Sequence, residues 1–306
     1  MKYTIFWTNQ HILLACNYKT MNIQPICIYH KDCSDGTAAA AVFLHKFPQG
    51  KTFPLAHGYT KEEAEVILFV LNPETTVYTV DCTLLVKECL EKGNTVISLD
   101  HHIGMYEEMT ALAKETQNYT YVFNNDLSGA TVTWTYFFPD EQIPRWLELV
   151  QDKDLWTKKY IESEYFINWS YTQVNNPQAL LFLFDNLKNL DLCIEKGKSV
   201  EDVNQFYLRA FQEKAKPIFV AYEGYKIPAY NSTYLLSALG NILIDDVLGV
   251  SIIFSIKGDR VPMSVRSIKD SKVSALEVAK HFGGGGHRNA AGCEVDFSTF
   301  TQLIYK

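Results

Sequence analysis

No CxxC pair occurs in the 306 residues, and the seven cysteines follow no regular spacing. An odd, scattered set excludes a disulfide framework and a structural zinc cage, and points to reduced thiols in a cytoplasmic protein. Basic residues are also short: 28 Lys and Arg stand against 35 Asp and Glu, a formal net charge of −7. Binding along a polyanion rests on many Lys and Arg phosphate contacts, so a long nucleic acid is not an expected partner. No apolar run approaches the roughly 20 residues that span a bilayer, so no membrane association is expected. The stretch after Lys2 ends in Leu13-Leu14-Ala15-Cys16, which resembles a lipoprotein cleavage box, but Asn9, Gln10 and His11 interrupt its apolar region. A secretion signal needs that region unbroken, so none is expected, and Met21 is an alternative start.

What the chain does have is apolar runs that end in acids and imidazoles. Val96-Ile97-Ser98-Leu99 runs into Asp100-His101-His102. Ile26-Cys27-Ile28-Tyr29 runs into His30, with Asp32 and Asp35 just beyond, and Val77-Tyr78-Thr79-Val80 runs into Asp81. Leu147-Glu148-Leu149-Val150-Gln151 ends in Asp152, with Asp154 following. Each reads as a buried strand that delivers ligands at its carboxyl end, and together they predict one site at one edge of a sheet.

Short apolar runs alternate with longer mixed segments from Ile23 to about Trp156, as a parallel sheet covered on both faces requires. The fold class expected is therefore α/β. A parallel-sheet domain would occupy 22–170, a helical linker 171–220, and a smaller C-terminal α/β domain 221–306, with the active cleft between the two domains. Within the linker, Asn176-Pro177 predicts one helix start and Ser199-Val200-Glu201-Asp202 predicts another.

His30, Asp32, Asp35, Asp81, His101, His102, Asp152 and Asp154 supply enough carboxylate and imidazole for two divalent ions, and the donor types favour Mn²⁺ or Mg²⁺. A second constellation is Gly283 to Gly292, GGGGHRNAAG. Its glycines could bring backbone N–H groups close to an anion, with His287, Arg288 and Asn289 as further donors. Arg266 ends a strand shortly before it, where a guanidinium could pair with a phosphate.

Asp100-His101-His102 together with GGGGHRNAAG resembles the DHH phosphoesterase superfamily, in the branch with a DHH-associated C-terminal domain. HKDCSDG at the first strand, SGAT at 128–131, QDKDLW at 151–156 and SVRS at 264–267 carry the same resemblance. That branch includes nanoRNases, phosphoadenosine phosphate phosphatases, cyclic dinucleotide phosphodiesterases and single-strand exonucleases. The resemblance implies that Asp81 bridges two ions and that His30, Asp35, His101 and Asp152 are ligands, Asp152 ahead of Asp154. It implies that His102 faces the substrate phosphate, that Asp100 orients the histidines, and that Arg266, Gly284, Gly285, Gly286, His287 and Asn289 grip the distal end of the substrate. The first motif departs from the family pattern: Cys33 falls where an acid is common, and Asp32 lies one residue earlier. Either could complete the first ion site, or that site could be the weaker one.

The function expected is hydrolysis of phosphate esters in small nucleotides, such as short oligonucleotides, dinucleotides or nucleotide phosphates. It would proceed by in-line attack of a hydroxide held between two Mn²⁺ ions, with Mg²⁺ as the alternative. A homodimer would follow many relatives. The rival readings are a catalytically weak nucleotide-binding sensor and an inorganic pyrophosphatase.

Overall fold

The computed structural model describes residues 24–305. The stretch weighed as a secretion signal, the start at Met21 and the opening of the 22–170 domain lie outside them. The chain divides into two compact units between Lys198 and Ser199.

The first unit alternates strand and helix: β1 Ile26–His30, α1 Ser34–Lys46, β2 Lys51–Leu55, α2 Lys61–Phe69, β3 Thr76–Val80, α3 Val86–Glu91, β4 Thr95–Asp100, α4 Tyr106–Glu115 and β5 Tyr119–Phe123. The strands form one parallel sheet in the order β2-β1-β3-β4-β5. Alternate side chains of a strand feed opposite cores. Cys27 and Tyr29 of β1 join Tyr78, Val80 and Leu99 in a core with α1, whereas Ile26 and Ile28 join Val77 and Val96 in a core with α2 to α4. With both faces covered, nearly every residue of β1 and β3 is buried, hence the unbroken apolar runs. Residues Asp35 to Leu44 of α1 are all buried, and the small side chains of Ala38 to Ala41 suit that close packing.

After β5 come α5 Gly129–Phe137, α6 Arg145–Asp154, α7 Ile161–Ser170 and the long α8 Leu187–Lys214. Two readings are corrected here. The run ending at Asp152 is not a strand: Trp146, Leu147, Leu149 and Val150 are the buried face of α6. A short apolar run fits a strand or one side of a helix equally, and length alone did not separate them. The second helix start at Ser199 is also absent, because α8 passes through it without a break. No proline interrupts α8, so the polar tetrad lies within continuous helix. Within 171–220, Leu180, Leu183, Leu190 and Cys193 bury in the first unit's core, while Leu208 packs with Leu239, Leu243 and Ile253 of the second.

The second unit contains β6 Ile218–Tyr222, β7 Tyr225–Asn231, α9 Leu236–Ile242, β8 Val250–Phe254, β9 Arg260–Ser267, α10 Ala275–His281, β10 Gly285–His287, β11 Ala290–Asp296 and α11 Phe297–Leu303. Its mixed sheet runs β10-β11-β9-β8-β7-β6, and only β7 and β8 pair in parallel. Val261, Met263 and Val265 alternate into its core, leaving Ser264 and Arg266 on the other face. Among the described residues, no helix is long and apolar enough to cross a membrane.

Candidate metal centre

The order of the first sheet reverses at β1: β2 lies on one side and β3 on the other. Chain ends diverge at such a point and leave a crevice beyond the carboxyl ends of the strands. His30 ends β1, Asp81 follows β3, and Asp100-His101-His102 closes β4, so three segments distant in sequence meet there.

Asp81 is at the centre. It is only 1% exposed, with Oδ2 3.4 Å from His30 Nδ1 and Oδ1 3.1 Å from His101 Nε2. Neither oxygen makes a hydrogen bond of good geometry, and His30 Nδ1 is also buried without one. Burial alone would raise the Asp81 carboxyl, but the imidazoles of His101 and His30 prevail and hold it well below the usual carboxylate range. The residue sits in the left-handed region at φ 56°, which Asp tolerates better than most side chains. Its carboxylate caps no helix.

Asp35 in the first turn of α1 is equally buried. Its carboxylate accepts from the N–H groups of Gly129 and Ala130 at 2.6 and 3.0 Å, and it lies 3.8 Å from His101 Nε2. This explains the SGAT segment: a Cβ on Gly129 would stand 2.6 Å from Asp81 Cβ, so only glycine lets the start of α5 reach both acids. Burial, then repulsion from Asp81 and Asp154, raises the Asp35 carboxyl well above its usual value. His101 moves the other way from its burial: contact with Asp81 raises it to about 9. His102 Nδ1 lies 2.8 Å from Asp100 Oδ1, and Asp100 itself is 1% exposed.

Ligand-capable atoms converge in two groups, His30 with Asp81 and His102, and Asp35 with His101 and Asp154. Carboxylates crowded together without bound protons or cations are costly. The orphaned oxygens of Asp81 and the raised Asp35 are therefore satisfied best by divalent cations, and the oxygen and imidazole donors fit that class.

Two expected ligands stand elsewhere. Asp152 accepts from Thr157 Oγ1 (2.5 Å), Lys159 N (2.7 Å), Tyr160 N (3.2 Å) and Ser163 Oγ (2.6 Å), so it closes the turn from α6 to α7. Asp154, two residues on, places its carboxylate 3.8 Å from His101 Nδ1 and takes the position expected of Asp152. A two-residue step along a helix turns a side chain by roughly 200°, so only one of the pair can face the centre. Asp32 is exposed and is bound by Asn175, which accepts from its N–H at 2.9 Å and donates to its carboxylate at 2.6 Å. Cys33 precedes α1, and its thiol is pushed up by burial and then by the charges of Asp81, Asp35 and Asp154.

His57, on the loop after β2, went unread in the sequence. Its ring lies 5.1 Å from that of His30, edge to face. The half-exposed edge strand Lys51–Leu55 contains Pro54 and gives no apolar run. A His-Gly pair just past a strand end was the available signal.

In the second unit the glycine run is a helix stop followed by an edge strand rather than an irregular loop. Gly283 and Gly284 donate their N–H groups to Lys280 and Ala279 at the end of α10, so they stop a helix. Gly285, Gly286 and His287 form an edge strand paired with β11, and Arg288-Asn289 is the hairpin turn. Gly286 adopts φ +136° against the Ala291 backbone. The Asn289 carbonyl accepts from Ser267 N at 3.0 Å, and the Asn289 residue is exposed. Register places Arg266 opposite Ala290, and Ala290 opposite His287. Arg266 and His287 thus share a row on one face, about 10 Å apart by strand spacing. Ser264, the Val265 carbonyl and Ser237 hold the Arg266 guanidinium, and no ion pair to it is found among the described residues.

Solved structures of the same architecture cover most of the chain. A DHH domain from a member of a ribosomal protein family superposes over 92% of this chain and 84% of its own, with a TM-score of 0.58 at 14% identity. Exonuclease RecJ bound to manganese covers 92% and 88%, with a TM-score of 0.55 at 15% identity. This chain shares the fold of these DHH-domain structures. The pGpG-specific phosphodiesterase PggH from Vibrio cholerae covers 92% and 99%, with a TM-score of 0.50 at 13% identity. In sequence, the DHH-fold chain is 27% identical over 286 residues to uncharacterized protein R106 of Acanthamoeba polyphaga mimivirus, spanning 87% of this chain and 66% of that protein's length. No family model matches.

Proposed function

We propose that this chain is a divalent-metal-dependent hydrolase of phosphate esters in small nucleotides. The observation that carries the reading is Asp81, a buried carboxylate with one oxygen toward each group of converging donors and no hydrogen bond of its own. His30 and Asp81 would hold one ion; Asp35, Asp81, His101 and Asp154 would hold the other. Ions bound there would polarise a phosphoryl oxygen and lower the pKa of bound water.

The protein's own groups position the reactants. The N–H groups at the start of α5 fix Asp35, and Asp100 fixes the ring of His102 through Nδ1. His102, partly exposed beside the buried acids, is then free to donate from Nε2 to a phosphoryl oxygen as charge develops on it. Arg266 and His287 offer a row of cationic and hydrogen-bonding groups for a second phosphate or a terminal nucleotide. Of the proteins with this fold, RecJ is named as an exonuclease and PggH as a pGpG-specific phosphodiesterase, which supports the substrate class. Manganese as the working ion, the homodimer and a cytoplasmic location belong to the same reading.

The test is purified protein with Mn²⁺ or Mg²⁺ against short RNAs, phosphoadenosine phosphate, linear and cyclic dinucleotides, and pyrophosphate. Metal-dependent release of nucleotide that Asp81→Asn abolishes is the expected result. Turnover of pyrophosphate alone would replace the reading with the pyrophosphatase. The diversion of Asp32 to Asn175 favours one other reading, a weakly catalytic nucleotide sensor. Dinucleotide binding without turnover would select it.

A further inference from the structure

The two groups of donors are unequal. Asp35, Asp81, His101 and Asp154 offer three carboxylates and an imidazole to one ion. On the His30 side, Asp81 is the sole carboxylate, because Asp32 is tied to Asn175. If His102 serves the substrate phosphate, with Nδ1 turned to Asp100, only His30 and Asp81 remain. A catalytic site for a borderline ion such as zinc keeps three protein donors and one open position. One donor is therefore missing.

We propose that His57 supplies it, giving the His30 side a set of two imidazoles and one carboxylate with an open position. This rests on the two-ion reading above. β2 pairs with β1 so that Leu55 lies opposite His30, which brings the loop two residues later to the same edge of the sheet as the other donors. The His57 ring stands 5.1 Å from that of His30 at an interplanar angle of 72°, and His30 in turn stands 6.0 Å from His102 at 82°. Three imidazoles thus surround one region beside Asp81. His57 is exposed, and among the described residues its ring makes no hydrogen bond. The ring lies beside the atoms that already converge, not among them. Gly58 follows at φ +80°, with open space where a Cβ would stand.

The chemistry of the set makes it distinctive. Imidazoles suit borderline ions, whereas Mg²⁺ prefers an all-oxygen shell. His57 would thus bias the His30 side toward Mn²⁺, Co²⁺ or Zn²⁺ over Mg²⁺, while the carboxylate-rich side accepts either.

The experiment is calorimetric titration of the metal-free full chain with Co²⁺ and with Mg²⁺, alongside the cobalt absorption spectrum. The wild type should bind two Co²⁺ ions. His57→Ala should retain one at unchanged affinity and bind the other at least about tenfold more weakly, with a changed visible spectrum. Because His57 is exposed, its melting curve should match the wild type. Cys33→Ser should leave both ions and the near-ultraviolet spectrum unchanged. Wild-type affinity for both ions in His57→Ala overturns the proposal. A thiolate-to-cobalt band that disappears in Cys33→Ser also overturns it, assigning the missing donor to Cys33. Failure of the underlying reading looks different: the wild type binds no pair of ions, or Asp81→Asn keeps both.

Discussion

The centre beyond β1, β3 and β4 and the row on β9 and β10 both carry polar groups, and they are held in opposite ways. In the first, acids crowd around His101 and are fixed by strand ends, a helix start and neighbouring imidazoles. In the second, a partly buried arginine lacks an ion-pair partner among the described residues, and His287 lies on an exposed three-residue edge strand. The cost of charge stored at the first place is offset by the packing around it. In the proposed function, the second presents its charge to an incoming group. Changes at the first should therefore strike chemistry or folding, and changes at the second should strike substrate binding.

The largest effect expected is at Asp81. Asp81→Asn should reduce metal-dependent hydrolysis more than about a hundredfold. Circular dichroism should show an intact fold, because loss of a buried charge also relieves repulsion on Asp35. Collapse of the fold instead would make Asp81 structural and break the comparison.

The next pair separates neighbours on one helix. Asp154→Ala should weaken cobalt binding by at least about tenfold with little change in melting temperature. Asp152→Ala should keep the ions while losing roughly 2–4 kcal/mol of stability in urea unfolding, since it strips the partner from buried N–H and O–H groups. The reverse pattern would restore Asp152 as a ligand. Acid titration sharpens the same point. Burial opposes ionisation of Asp152, but hydrogen bonds led by that of Ser163 hold it down to about 2. Its folded value is thus depressed from roughly 4, so its stabilisation is complete above about pH 4 and fades as pH falls through about 2. Asp152→Asn should flatten the acid limb of melting temperature against pH.

Gly129→Ala should cost about 1–3 kcal/mol through overpacking against Asp81, with weaker ion binding. The smallest effect is expected at Arg266→Lys, a rise in KM of about tenfold with kcat nearly kept, because a point charge replaces the planar fork. A fall in kcat without a change in KM would show that the row acts on the reacting phosphate itself.

The α/β class, the parallel sheet and the triplet Asp100-His101-His102 were legible because buried strands must read as apolar runs, and a run broken by an acid and two imidazoles has few structural explanations. The role of SGAT was legible only as a motif, since its contact with Asp35 spans 94 positions. His57 was hidden by a half-exposed edge strand without an apolar pattern. Asp152 was ranked ahead of Asp154 while α6 was read as a strand, a period that puts residues two apart on the same face, and only the helix turns them apart.

The sequence by itself determined which residue types would gather, since acids and imidazoles at the ends of buried runs must lie at a sheet edge. Only the tertiary structure decided which of them face inward. Asp32 and Asp152 have the same carboxylate as Asp35 and Asp154, but Asn175 binds the one and the α6–α7 turn the other, whereas Asp35 and Asp154 each lie 3.8 Å from His101. Those local contacts, set by distant or helical geometry that no run of residues displays, separate the acids held elsewhere from those that converge on His101.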